Sequence, residues 1–553
     1  MIENENFQRQ NNNSNLITNF YLFGVEPEDI DISNFENDFL KEDFLPIKLL
    51  SKFPPTEENI LIDPNIIISH CFPKGYCLKQ TMHDLENEYE LFHFNLRNLL
   101  STSYYEKRIY FTCCIFYENL TKYLAIKDIQ KNMLNNRNRN RNNENIIKNR
   151  TIKPEQIFLP KLVCISSFIP FPNQYRTILE KLVDYTRKKE IKIPIEKEIE
   201  NIILGIPFPK KCVFYPTRRN DYCIDTNIEF LLRDLNQYNF SSYKMKSIFV
   251  FKIDDVFEIY KYILLEKPIL FFSEDKEKLT NIVESFLSLI FPFEYQNPHC
   301  SILPDCNAGI VEQSKSFVFG VNEQWVDQNE GNYFHRLKLN LFKTVLICDI
   351  DREKVLFYKG YEEPKIMTFN ELHSNKYPNL NPMVLTTAAE NNLCEVNSSK
   401  ENVKIPNKYS EKLKTKLKDK LLSLNSNNKT NYDYSEKSNE IITEYFYYFL
   451  VSILKNYNDY LFNNKDDVIN INKLFLKKNL KEINIETLFK ANQFVSKEID
   501  SNDDPIFFKI LFETNLFKHF LFRKYRNSEF DKYDFLLFDE TIVIKKIKIN
   551  LVK

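Results

Sequence analysis

At 553 residues the chain exceeds the size at which one hydrophobic core usually stops growing, so it should fold as roughly two to four domains or lobes. Its 75 basic residues against 76 acidic ones leave a net charge of -1, which excludes a global field drawing it to nucleic acid or an anionic membrane. Hydrophobic residues at 43%, with 48 Phe and 31 Tyr, exclude a wholly disordered chain, and 7 Gly leave little material for phosphate-cradling loops.

The acidic, Asn-rich start "MIENENFQRQNNNSN" carries no secretory pattern, and residues 1–18 are expected to be disordered. The eleven cysteines, scattered from Cys71 to Cys394, are expected to be reduced thiols of a cytoplasmic protein. Three β-rich stretches, "NFYLFGV" (19–25), "NIIISHCFP" (65–73) and "KRIYFTCCIFYE" (107–118), are separated by turn-forming residues and predict an antiparallel sheet in an α+β first region. An insert at 131–152, Asn-rich and locally basic through Arg137, Arg139, Arg141 and Arg150, reads as a solvated loop.

Beyond the insert the pattern changes. "KLVCISSFI" (161–169) reads as a buried strand, and Tyr175, Ile178, Leu179, Leu182 and Tyr185 share one face of the helix that follows. "KSIFVF" (246–251) repeats the pattern ahead of a helix bearing Val256, Ile259, Tyr260 and Ile263. "KPILFFS" (267–273) is the next strand, and Asp275 is placed to cap a helix lined by Leu279, Ile282, Val283, Phe286, Leu287 and Ile290. "KTVLICDID" (343–351) supplies another strand. Strand and helix in alternation predict an α/β lobe built on a largely parallel, covered sheet. "SEKLKTKLKDKLLSL" (410–424) reads as a helix, "NSNNKTNYDYSEKSNE" (425–440) as a polar linker, and 440–526 as mostly helical. The most apolar stretch, Phe286–Phe293, falls well short of the ~20 residues of a membrane span.

Candidate chemistry is sparse. The doublet Cys113–Cys114 and the pair Cys71 and Cys77 belong to no C-x-x-C motif, and His299, Cys300 and Cys306 lack a fourth ligand at zinc-like spacing. The cysteines are therefore read as structural, with no metal and no cofactor expected. "SED" (273–275) and "DID" (349–351) end strands, where α/β sheets carry functional loops. Carboxylates there serve acid–base chemistry in some folds, but they are read here as caps and turns, and no catalytic residue is assigned.

The order of segments resembles the tripartite DENN domain (uDENN, cDENN, dDENN) of exchange factors for Rab GTPases. "FYLFGV", "FPPTEENILIDPNIIISHCFPKG" and "RIYFTCCIFYE" resemble the upstream part. "LPKLVCISSFIPFPNQYRTILEKL", "IPIEKEIENIILGIPFP", "EKPILFFSEDKEKLTNIVESFLSLIFPFEYQNPHCSILP" and "VLICDIDREKVL" resemble the central part. "LFKANQFVSKEIDSNDDPIFFKILFETNLFKHFLFRKYRNS" resembles the downstream part. The likeness runs from about 19 to 528. It departs from the family in the Asn-rich insert and in "AGIVEQSKSFVFGV" (308–321), which keeps Phe-Val-Phe-Gly but lacks the usual proline.

The resemblance implies a longin-like lobe at 19–130, a sheet with flanking helices, then an α/β lobe at 153–365. A linker with one helix at 366–439, a helical part at 440–530 and a tail at 531–553 would follow. It implies an exchange factor that promotes GDP release from a Rab-type GTPase in vesicle trafficking, binding the GDP-bound or nucleotide-free form between its lobes without covalent chemistry of its own. Such a protein would be cytoplasmic and recruited peripherally to vesicle or endosomal membranes. The alternatives are a non-exchanging DENN scaffold and a longin-DENN GTPase-activating component, which would need an arginine finger; Arg218 and Arg219 form a doublet in "YPTRRNDY". Because Rab switch regions expose apolar residues flanked by basic ones, the acidic turns Asp254–Asp255 and Glu274–Asp275 are the candidate docking residues.

Overall fold

The computed structural model describes residues 17–25, 47–55, 62–75, 88–97, 108–119, 157–167, 171–187, 243–326, 333–339, 344–358, 414–419, 431–462, 465–499 and 505–526, with short pieces between and beyond these. The insert at 131–152 and the Arg218–Arg219 doublet lie outside the described residues. The chain divides into two compact units, one comprising Met1–Asp234 with Pro304–Cys306, the other Leu235–Leu303 with Asn307–Lys553.

The first unit is built on an antiparallel sheet whose strands are β1 (Ile17–Gly24), β2 (Lys48–Phe53), β4 (Tyr89–Arg97), β5 (Arg108–Asn119) and β6 (Ile157–Ser167), in the order β2-β1-β6-β5-β4. A two-residue strand β3 (Lys79–Gln80) pairs with the start of β6. Because successive side chains alternate across a strand, β5 sends Cys114 and Phe116 to one face and Cys113 and Phe111 to the other. On the first face, helix α2 (Pro172–Arg187) inserts Tyr175, Ile178, Leu179, Leu182 and Val183 against Phe20, Leu91, Cys114, Phe116, Val163 and Ile165. On the opposite face lies α1 (Pro64–Cys71), with His70 stacked on Phe94 at 5.2 Å. A separate ribbon pairs β7 (Val213–Tyr215) with β8 (Ile228–Phe230).

Two sequence-based expectations change here. "NIIISHCFP" is a helix, not a strand: the Asp63 carboxylate accepts from the Asn65 N–H at 2.9 Å, and Pro64 occupies the first turn, where its missing N–H costs nothing. The local cap overrides the β preference of the Ile run. "KLVCISSFI" does not open the parallel lobe; as β6 it lies antiparallel between β1 and β5. A strand buried on both faces reads as continuously apolar in either sheet type, so its residues carry no sign of direction.

The second unit carries a mixed sheet in the order β10-β11-β9-β12-β13-β14. Strands β9 (Ile269–Phe272), β10 (His299–Cys300), β11 (Val318–Val321) and β12 (Val345–Asp349) run parallel, and β13 (Lys354–Tyr358) and β14 (Leu393–Glu395) add antiparallel edges. The expected largely parallel sheet is thus mixed. All of β9, β11 and β12 are buried, as strands covered on both faces should be. Helix α3 (Ile253–Leu264) precedes β9 and α4 (Lys276–Ser288) follows it. "KSIFVF" lies in a 3₁₀ helix at Met245–Val250 and is not a strand; its short apolar run is compatible with either.

The C-terminal part is helical: α5 (Asn431–Ile453), α6 (Lys465–Lys477), α7 (Ala491–Glu498), α8 (Pro505–Glu513) and α9 (Asn515–Arg526). Helix α5 takes in residues that read as a polar linker. Phe489, Phe494, Phe512 and Phe517 pack edge-on and tilted, with Phe512 and Phe517 centroids 4.7 Å apart, each pair adding ~1 kcal/mol beyond its buried area. Phe538, also fully buried, joins this core through Tyr457 and Phe520. The turn joining α3 to β9 is tied to α9: the Glu266 carboxylate accepts from the N–H groups of Asn515 and Leu516 at 2.8 and 2.9 Å, satisfying two orphan donors at that helix start.

Candidate functional site

The carboxyl ends of the parallel strands lie along one edge of the second unit, since Phe272 is level with both Val321 and Asp349. Open α/β sheets carry their ligand and partner loops at that edge. Strand β9 runs back against α3 after a reversal at Leu265–Pro268, where Glu266 takes a left-handed φ of 50° and Lys267 N–H donates to Tyr262 O at 2.8 Å. That reversal returns the start of α3 to the edge where β9 ends.

Three loops meet there. Asp351, after β12, accepts from Ser273 Oγ at 2.8 Å and from the Glu274 N–H at 2.9 Å. Asn322, after β11, donates its amide to Ser273 O at 3.1 Å and to Glu274 O at 2.9 Å. Asp275 then caps α4, its Oδ1 accepting from the Lys278 N–H at 3.0 Å, as its position before "KEKL" predicts. Asp349 Oδ1 accepts from the Arg352 N–H at 3.1 Å. The Asp275, Asp349 and Asp351 carboxylates therefore bind backbone and a neighbouring loop rather than facing each other as an acid and a base.

The second acidic turn reaches the same edge. Burial first, then the carboxylates of Asp255 and Asp349, push the Cys348 thiol on β12 well above its ordinary range, so Asp255 lies within electrostatic range of that thiol. The Asp255 carboxyl is itself raised, chiefly by burial, with like charges Asp254 and Glu258 adding and Lys252 opposing. Asp254, 79% exposed, forms a 2.8 Å pair with Lys414 from the helical residues 414–419, and the Lys414 ammonium also lies over the Phe257 ring. Glu274 is exposed. The structure thus brings Asp254, Asp255, Glu274 and Asp275 to one edge, with Asp275 and Asp254 also holding local structure.

Sequence reasoning did not single out Asn322 or the bonding of Asp351; their signal is positional, a short polar side chain directly after a buried strand. Replacing Asp351 with Ala should free the Glu274 amide, raising its hydrogen-exchange rate at a global cost of about 1 kcal/mol, because the group is exposed. Unchanged exchange at Glu274 would mean that Asn322 alone fixes the loop.

Residues 158–353 match the family model of the DENN (AEX-3) domain. This chain carries a DENN domain. The matched stretch begins in β6, includes α2, α3, β9, α4, β11 and β12, and ends after the Asp351 turn, so the whole acidic edge except Lys414 falls within it. DENN domains are associated in general with nucleotide exchange on Rab GTPases. Among the described residues no helix is long and apolar enough to cross a membrane.

Proposed function

We propose that this DENN-domain chain is a guanine-nucleotide exchange factor for a Rab-type small GTPase in vesicle trafficking. The match at 158–353 carries the reading. The antiparallel sheet with a helix on each face is the architecture a longin-like first lobe would have, and the order of upstream, central and downstream segments resembles the tripartite arrangement. An exchange factor breaks no covalent bond: it binds the nucleotide-free GTPase more tightly than the loaded one, and each tenfold gain in nucleotide release needs about 1.4 kcal/mol of that difference. An interface of roughly 1,600 Å² suffices for several such factors. The chain acts in the cytoplasm and is recruited peripherally to the membrane that bears its GTPase.

The acidic edge is the docking surface proposed for the GTPase. Its loops are cross-tied by Asp351 and Asn322, so little ordering entropy is lost when a partner binds. The exposed carboxylates suit a basic rim around an apolar switch region. The test is release of fluorescent GDP from a panel of Rab proteins with the full chain. Acceleration on at least one Rab is expected, and the double variant Asp255→Lys, Glu274→Lys should slow it about tenfold, 1.4 kcal/mol of barrier, with the melting temperature nearly unchanged. If no Rab responds, the exchange reading fails and a scaffold remains. A wild-type rate in the double variant on a responsive Rab would move the docking surface elsewhere.

A further inference from the structure

The sequence sets Cys71, Cys113 and Cys164 far apart, and the fold of the first unit gathers them. Cys113 on β5 and Cys164 on β6 are direct cross-strand partners, so both point to the face covered by α1, whose last residue is Cys71. Their sulfurs form a triangle with sides of 3.0 Å between Cys113 and Cys164 and 3.8 Å between Cys71 and Cys113, all three lying within 4.8 Å of one another. All three side chains are fully buried.

Packing alone does not account for this. Three thiols in one core contact hold three weak donors in mutual contact, where aliphatic side chains would fill the same space without polar atoms. Cys114, adjacent in sequence, shows the ordinary case: it faces the opposite side of the sheet and packs among Phe20, Leu91 and Phe116. A metal bound by three sulfurs in a plane, with bonds of ~2.3 Å, needs a sulfur triangle about 4 Å on a side. The observed triangle reaches that size by shifts of under ~1 Å per sulfur.

We propose that Cys71, Cys113 and Cys164 form a three-sulfur site for a soft metal ion, cuprous copper. Three points select the ion. Thiolates favour soft cations over hard ones. Structural zinc takes four ligands, and among the described residues no further His, Cys, Asp or Glu joins the cluster. Aromatic rings wall the site: Phe94 stacks on Phe111 at 5.1 Å and on His70 at 5.2 Å, and Tyr21 lies opposite Cys164 on β1. The Nδ1 of His70 is already bound to Ile66 O at 2.8 Å. Each sulfur that becomes a ligand gives its proton to solvent. No electron is transferred.

The test uses the full-length reduced chain and cuprous ion delivered from a competing chelator. One tightly held equivalent is expected, with a thiolate-to-copper absorption band and an X-ray absorption shell of three sulfurs. Cys71→Ser, at the end of a helix and outside the sheet, should lose that equivalent while keeping the wild-type circular dichroism. Cys114→Ser and Cys348→Ser should retain it. If Cys71→Ser fails to fold, the wild-type absorption shell decides. The proposal is overturned by no competing equivalent, by a two-sulfur shell, by zinc binding with nitrogen or oxygen in its shell in preference to copper, or by an equivalent that survives replacement of all three cysteines with Ala.

Discussion

Gly320→Ala should cost the second unit at least about 3 kcal/mol, measured by urea unfolding, although Gly320 sits in an ordinary strand conformation. The reason is space. A Cβ on Gly320 would lie 2.0 Å from the carbonyl oxygen of Ser301 and 2.8 Å from its carbon, backbone atoms that cannot rotate away. Ser301 is fixed from two sides: its hydroxyl donates to the buried Glu284 carboxylate at 2.5 Å, and two residues on, Leu303 N–H donates to Gly320 O at 2.7 Å. Moving the chain aside breaks the second bond and strains the first, and an unsatisfied buried carboxylate costs more than an unmade neutral bond. Gly24 supplies the control. The one close approach of its added Cβ would be to the tip of the Leu50 side chain at 2.8 Å, which can swing, with Lys161 Cγ in ordinary contact at 3.6 Å, so Gly24→Ala should cost under about 1 kcal/mol. Equal costs at the two positions would mean that the Ser301 backbone yields freely.

How much of this was legible in the residues depends on which force sets each element. Helices with a regular apolar stripe were readable: Tyr175, Ile178, Leu179 and Leu182 are buried on one face of α2 as their spacing predicts, and Asp275 caps α4. Elements set by a single local bond or by neighbours in space were not. Asp63 and Pro64 turn an Ile-rich run into a helix, and only its partners β1 and β5 show that β6 runs antiparallel. The start of α5 at Asn431 was hidden because its polar first turns carry no apolar period.

The acidic edge was half legible. That "SED" and "DID" end strands follows from the apolar runs before them, and the convergence of the two acidic turns follows once the chain reverses at Leu265–Pro268. That Asp351 binds Ser273, 78 positions earlier, depends on β12 lying beside β9, which no local pattern encodes. The thiol triangle is the stronger example. Cys113 and Cys114 look like one motif, yet strand alternation sends them to opposite faces, and the sulfurs that do meet come from three elements spread over 94 positions, Cys71 to Cys164.

Phe286 and Leu287, neighbours on α4, should separate sharply when each is cut to Ala. The apolar spacing puts both on the inner face, but the structure buries Phe286 completely, with its ring 5.8 Å from that of Phe271 on β9, and leaves Leu287 only partly buried. At 100° per residue the helix carries Leu287 past the edge of the stripe centred on Leu279, Ile282, Val283 and Phe286. Phe286→Ala should therefore cost about 3–5 kcal/mol, through lost transfer energy and the cavity left against β9, whereas Leu287→Ala should cost about 1 kcal/mol. The consequence reaches the acidic edge. Asp275 caps α4, so a cavity beneath the helix loosens the loop that Asp351 and Asn322 hold, and Phe286→Ala should lower the proposed exchange activity only in proportion to lost folding. The proposed activity and unfolding followed together in urea decide this: coincident transitions support a packing role, and activity lost well before unfolding would show that Phe286 positions the proposed docking edge directly.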